Sequence, residues 1–213
     1  TLGFGLMSLL ICTMGGLSLT LAKRADSAFH TIIDDRYPKV LHLHVAKEDV
    51  VTVELALTQI ALDPRPDNVR EQESLMAAKR KEITHLFDDL GRQITSDKGK
   101  AALAETLRAR GVYAQQMERF FDLSHAGKMD EARGVLTGPM VAPRKAYFDA
   151  LSALIAYQEQ LADTAQAEAV AAGTQLNVLV LALTAMALVL SILLAVLIVR
   201  STTRPLRQAV AAA

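Results

Sequence analysis

Three arginines stand where an apolar side chain is expected. Met76, Arg80, Ile83, Phe87, Leu90 and Ile94 recur at 4-3-4-3-4 intervals, and so do Leu103, Leu107, Arg110, Ala114, Met117 and Phe121. Met140, Arg144, Tyr147, Leu151 and Leu154 repeat the pattern, which Leu161 continues. Such spacing marks the inward stripe of a packed helix. An arginine on that stripe must be satisfied, because an unpaired buried charge costs several kcal/mol. An internal ion pair is the simplest answer, with Glu48 and Glu82 as the expected partners; a side chain reaching out to solvent is another. Three arginines at one level exceed the nearby carboxylates, and neutrality then calls for an external anion. The guanidinium fork matches a carboxylate, and Tyr113 and Tyr147 can add hydroxyl donors. The candidate ligand-binding set is therefore Arg110, Tyr113 and Tyr147, with Arg80, Thr84 and Arg144 tuning which acid is preferred. A small-molecule di- or tricarboxylate is the expected guest.

Other chemistry finds less support. Glu82 and His85 have the Glu-x-x-His spacing of di-iron bundles, but such sites need two of these motifs and two further glutamates. Asp122 and His125 form the nearest second pair and fall near the opposite end of their helix, so a solvated His85 is the better reading. His42 and His44, two apart on a helix, point in opposite directions and cannot chelate together. No haem attachment, phosphate loop or nucleophile motif occurs. No catalytic residue, metal or cofactor is expected, and the chain does not read as an enzyme. Basic and acidic residues balance at 23 each, which argues against a nucleic-acid partner. The single cysteine, Cys12, lies in an apolar segment, so no disulfide framework is available.

The elements that must position these residues are helices. Ala, Leu, Glu, Gln, Arg and Lys dominate, and no stretch alternates as a strand does. Breaks fall at Asp63–Asn68, with Asn68 as the expected N-cap, at Thr95–Gly99, with Ser96 or Asp97 as cap, and at Ser124–Asp130. Gly138, Pro139 and Pro143 mark a kinked start to the last helix. The expected helices end near Leu62, span about 69–95 and 98–126, and run from about 130 onward. Tyr37-Pro38 should kink the first. Short connections between long helices favour antiparallel neighbours. The predicted fold is all-α: an antiparallel up-down-up-down four-helix bundle continuous with two transmembrane helices. Counting turns from the far end places Arg80, Thr84, Arg110, Tyr113, Arg144 and Tyr147 within about 10 Å of one another in height.

The two apolar runs define the ends. Leu2–Ala22 and Leu176–Val199 carry no charge. The second extends for roughly 36 Å as a helix, enough to cross a ~30 Å hydrocarbon core. The first is longer than a leader's apolar region and lacks a clear small-x-small site, so it reads as a retained span. Arg200, Arg204 and Arg207 follow the second run without an acidic residue, which puts them in the cytoplasm and the middle segment outside. Expected boundaries are transmembrane helix 1 over 1–22, a sensor bundle over 23–175, transmembrane helix 2 over 176–199 and a cytoplasmic start over 200–213. The chain begins without Met and stops in three alanines, as a segment of a longer protein does.

The first bundle helix is apolar over a wide arc, from Val40 and Leu41 through Val50, Val51, Leu55 and Leu57 to Ile60. The excess over one core face predicts either a wide core or a homodimer seam, the latter marked by Val50 and Leu57. Higher oligomers remain compatible with it.

The whole layout, closed by Arg200-Ser201-Thr202-Thr203-Arg204-Pro205-Leu206, resembles a bacterial methyl-accepting chemotaxis protein with a four-helix-bundle ligand domain. The Arg-Pro-Leu step is similar to the start of a HAMP domain. Lys128-Met129-Asp130-Glu131-Ala132, Pro143 and the Tyr147–Leu154 region resemble that family's entry into its fourth helix. The resemblance implies a chemoreceptor in the bacterial inner membrane with its sensor in the periplasm. It would bind a small attractant, shift the fourth helix and second span, and act through HAMP on a cytoplasmic kinase and adaptor. Sensor histidine kinases share this front end and are the alternative. Aspartate receptors of the family carry ligand arginines on the distal first helix; Val50–Leu62 has none, which favours a site inside the bundle, closer to receptors for malate or citrate.

Overall fold

The computed structural model describes the backbone of residues 2–211 and the side chains of residues 12–193, 195 and 196. All its regular elements are helices: α1 (Leu2–His30), a π-helical stretch (Thr31–Arg36), α2 (Tyr37–Leu62), α3 (Pro66–Gln93), α4 (Asp97–His125), α5 (Met129–Thr137) and α6 (Val141–Ala211). Two compact units result, one from residues 31–164 and the other from residues 1–30 with 165–213.

Proline accounts for the π-helical stretch. Pro38 has no N–H to give the carbonyl four residues back, and its ring crowds that carbonyl, so the preceding turn widens instead of continuing as an α-helix. The change of helical type falls where the kink is expected. Pro66 opens α3 at its first position, where the missing N–H costs nothing. The cap there is Arg65, not Asn68. Asn68 instead lies inside α3 and donates its side-chain amide to Gln59 O (3.2 Å) and Asp63 O (2.7 Å), closing the end of α2. Ser96 does cap α4, accepting from the backbone N–H of Gly99 at 3.2 Å. At the other end of α4, Gly127 takes φ +74°. Its N–H bonds to Ser124 O and that of Lys128 to Leu123 O, a Schellman closure for which glycine has no steric penalty.

In the unit 31–164 the helices run antiparallel. Lys79 meets Asp49 at 2.7 Å across α2 and α3, whose ends Asn68 ties together. His125–Glu73 (2.6 Å) and Arg110–Thr84 (2.6 Å) join α3 and α4. His44–Glu159 (2.9 Å) and Glu54–Arg144 (3.2 Å) join α2 and α6. Ser96–Tyr157 (3.0 Å) and the Tyr113–Tyr147 ring pair join α4 and α6. In every pair, rising numbers on one helix meet falling numbers on the other. This is the four-helix bundle expected, with α5 as an addition. The short α5 breaks off at Gly138-Pro139, and Arg133 donates to Ala61 O at 2.8 Å, so the α4–α5 connection and the α2–α3 turn share one end of the bundle.

The core holds Leu43, Leu57, Ile60, Met76, Leu90, Phe120, Met140, Leu151 and Leu154, all fully enclosed. Each such side chain contributes about 1.5–3 kcal/mol of burial. The α3 and α6 stripes face inward as their spacing predicts, with Leu161 only partly covered. On α4 the inward stripe is turned by one residue. Leu103, Thr106, Ala109, Tyr113, Met117 and Phe120 are buried, whereas Leu107 is exposed and Arg110, Ala114 and Phe121 sit at the edge. Both registers satisfy a helical repeat, and in the bundle Tyr113 and Phe120 take the central positions in place of Ala114 and Phe121. The arc on α2 divides in two. Val50 and Leu57 enter the core, while Tyr37, Leu41, Val51, Leu55 and Leu62 stay exposed as a second stripe.

In the other unit, α6 contains a segment long and apolar enough to cross a membrane. Its large side chains, among them Val178, Leu181, Leu188, Val189 and Ile192, are exposed. The first ten side chains of the first apolar run, and those of the Arg200–Leu206 step, lie outside the described residues.

Candidate functional site

A cavity of about 300 Å³ opens in the bundle of residues 31–164. Arg80 and Ile83 of α3, Arg110, Tyr113 and Met117 of α4, Val50 and Val53 of α2 and Tyr147 of α6 line it. Leu107 and Gly111, both exposed, lie at its rim. Arginine reaches this space because the α4 stripe is turned: Tyr113 takes the central position and Arg110 leans in from the edge.

Arg110 is held by neutral groups. Its Nη2 donates to Thr84 Oγ1 (2.6 Å) and to Arg80 O (3.3 Å), and its guanidinium lies 5.6 Å from the Phe87 ring centre. Thr84 Oγ1 in turn donates to Arg80 O at 2.7 Å. Among the described residues neither Arg80 nor Arg110 has a carboxylate within ion-pair distance. Burial, followed by the nearby Arg80 charge, holds the Arg110 guanidinium below its usual pKa, while Tyr147 and Asp88 act in the opposite sense. An anion placed beside it would relieve that strain.

The two tyrosines stack, with ring centres 5.9 Å apart and planes 26° from parallel. They differ in what their hydroxyls do. Tyr113 donates to Glu54 Oε1, and burial together with the Glu54 charge raises its pKa far above the ordinary value. The Tyr147 hydroxyl is buried without a hydrogen-bond partner among the described residues, and burial pushes its pKa up to about 12 despite the Arg110 charge. A buried donor without an acceptor loses its hydration uncompensated, so the cavity presents an unfilled polar position.

Arg144 stands apart. It pairs with Glu54 Oε2 at 3.2 Å and does not line this cavity. It borders a shallower hollow of about 400 Å³ with Val51, Leu55, Lys145 and Phe148. It stands one turn before Tyr147, in the first turn of α6, and the Glu54 carboxylate that holds it also holds the cavity-lining Tyr113, so it shares the level of the cavity but borders a different hollow. Five of the six expected residues therefore gather at one place: Arg80, Arg110, Tyr113 and Tyr147 at the cavity, and Thr84 behind Arg110.

The counter-ions also differ from expectation. Glu48 is exposed and Glu82 binds Lys79 at 3.0 Å, so neither serves an arginine of the layer. Glu54 does, and its sequence signal was present: it interrupts the Val50, Val53, Leu57 stripe as the arginines interrupt theirs. His85 is exposed beside Asp89, and His125 pairs with Glu73. No cluster of three metal-ligating side chains occurs among the described residues.

No curated protein is found to match the chain. The family model described as "Four helix bundle sensory module for signal transduction" matches residues 1–172, which cover α1 to α5 and the cavity-lining start of α6. The antiparallel bundle agrees with that description, and the chain belongs to this family, the sensory module of methyl-accepting chemotaxis proteins.

Proposed function

We propose that the chain is the sensing and membrane-anchoring part of a chemoreceptor, and that its guest is a small organic carboxylate bound in the bundle cavity. One observation carries this reading. Arg80 and Arg110 line the cavity without a carboxylate partner among the described residues, beside a buried Tyr147 hydroxyl that bonds to nothing. A guanidinium and a phenol converging on an empty space fit a carboxylate head. Pairing of Arg144 with Glu54 reduces the free cations from three to two, which weakens the case for a tricarboxylate such as citrate.

α6 carries Tyr147 at the cavity and, further along the same helix, the apolar segment. A guest that draws Tyr147 toward Arg110 acts on the helix leading to the membrane and to the HAMP-like step. In this reading the bundle lies in the periplasm, the apolar segments span the inner membrane, and the output is a cytoplasmic kinase with its adaptor. The exposed α2 stripe of Leu41, Val51, Leu55 and Leu62 fits a homodimer seam.

The test is a thermal-shift screen of the full chain in lipid nanodiscs against organic acids, followed by calorimetry on Arg110→Ala. A true guest stabilises the native chain by mass action. Loss of a charge-assisted bond in a partly buried site is worth about 1.5–3 kcal/mol, or roughly 10- to 150-fold in affinity. Undiminished affinity in Arg110→Ala would make Arg110 a structural residue and end the proposal.

A further inference from the structure

The polar groups of the cavity are confined to one pole. Arg110 lies against Arg80, and the Tyr147 hydroxyl is within its electrostatic reach. Tyr113 adds a ring but no free donor, because its hydroxyl is committed to Glu54. The remaining wall is Val50, Val53, Ile83, Leu107 and Met117, all hydrocarbon or thioether. The Glu54 carboxylate that holds Tyr113 is itself paired with Arg144 at 3.2 Å and does not line the cavity, so beyond Arg80, Arg110 and Tyr147 the wall offers a guest no free polar side chain.

Resting on the reading that this cavity is the ligand site, we propose that its guest is an amphiphilic monocarboxylate: one carboxylate on a compact hydrocarbon body about the size of a single ring. The carboxylate pairs with Arg110 and Arg80 and accepts the Tyr147 hydroxyl. The body packs on Val50, Val53, Ile83 and Met117 against the stacked tyrosines. A second carboxylate has no donor at that wall. It would give up its hydration against aliphatic side chains, a penalty that one extra contact with Arg80 does not offset. The volume of about 300 Å³ is at the small end of ligand pockets, which suits one ring and excludes an extended chain.

Calorimetry of the full chain in nanodiscs tests this with four probes: benzoate, cyclohexanecarboxylate, succinate and citrate. Two variants accompany it. Arg110→Ala removes the anion pole. Gly111→Leu places a side chain at the cavity rim, where a Cβ meets nothing within 4 Å, so the fold accommodates it without disturbing the charges. Far-UV circular dichroism and the unfolding temperature of each variant verify that it is folded. The expected result is that benzoate or cyclohexanecarboxylate binds at least about tenfold more tightly than succinate and citrate, and that both variants lose this binding by a similar factor. If succinate or citrate binds more tightly and Arg110→Ala abolishes it, the cavity is the site but the monocarboxylate proposal is overturned. If no probe binds, or binding survives both variants, the cavity reading fails and this proposal fails with it.

Discussion

Glu54 is the residue whose removal should reveal most about the bundle. Its carboxylate accepts from the Tyr113 hydroxyl through one oxygen and holds Arg144 through the other at 3.2 Å. Tyr113 is only 3% exposed, so in Glu54→Ala its hydroxyl has neither water nor an acceptor, which costs about 1–3 kcal/mol. The Arg144 side chain is 37% exposed and can turn outward, so loss of its pair adds less than about 1 kcal/mol. Glu54→Ala should therefore destabilise the bundle by about 1–4 kcal/mol. Tyr113→Phe removes the hydroxyl but leaves the ring stack and the Arg144 pair, and should cost about 0.5–1.5 kcal/mol. The double variant has no orphaned hydroxyl, so its loss should fall short of the sum of the two singles by about 1–2 kcal/mol. Urea unfolding of the full chain in mild detergent, followed by circular dichroism, measures all four corners of this cycle. Strict additivity would refute the reasoning, because it would mean that Tyr113 and Glu54 do not depend on each other.

The tyrosines predict a pH dependence. Both hydroxyls hold their protons more tightly in the folded chain than the ordinary value of 10.0, Tyr147 up to about 12. Below pH 10 folded and unfolded chains are both protonated and nothing changes; above it the unfolded chain ionises first, so stability should fall as pH rises toward 12. Tyr147→Phe should lessen that fall in pH-dependent thermal melts, and an identical profile would contradict it. Cysteine pairs at Val51 or Leu55 should cross-link between copies in the membrane, whereas pairs at the buried Val50 or Leu57 should not; the reverse pattern would dismiss the proposed dimer seam. Gly99→Ala should destabilise, since its Cβ would lie 2.6 Å from Ile94 and 2.8 Å from the capping Ser96 hydroxyl. Gly111→Ala meets open space and should stabilise by up to about 1 kcal/mol, and melting temperatures of the pair should move in opposite directions.

The sequence by itself determined the helices, their antiparallel order and the family. Those features follow from local rules: residue spacing at the helical repeat, a break at Asp63–Asn68, Ser96 opening a helix, and a further break around Gly127. It also named the polar residues that line the cavity, Arg80, Arg110, Tyr113 and Tyr147, because a charge on an apolar stripe is visible without a structure. The tertiary structure alone decided three things. It chose the register of α4, where two stripes one residue apart fit equally well in isolation and the packing of Tyr113 and Phe120 settles which turns inward. It turned Arg144 to a different hollow from Tyr147, one turn away on the same helix, because the face each presents depends on how α6 packs against α2 and α4. It matched Glu54 to Arg144 and Tyr113, leaving Arg80 and Arg110 without a carboxylate partner among the described residues. Partner choice among charges depends on distances of a few ångströms between helices far apart in sequence, and only the assembled bundle sets those distances.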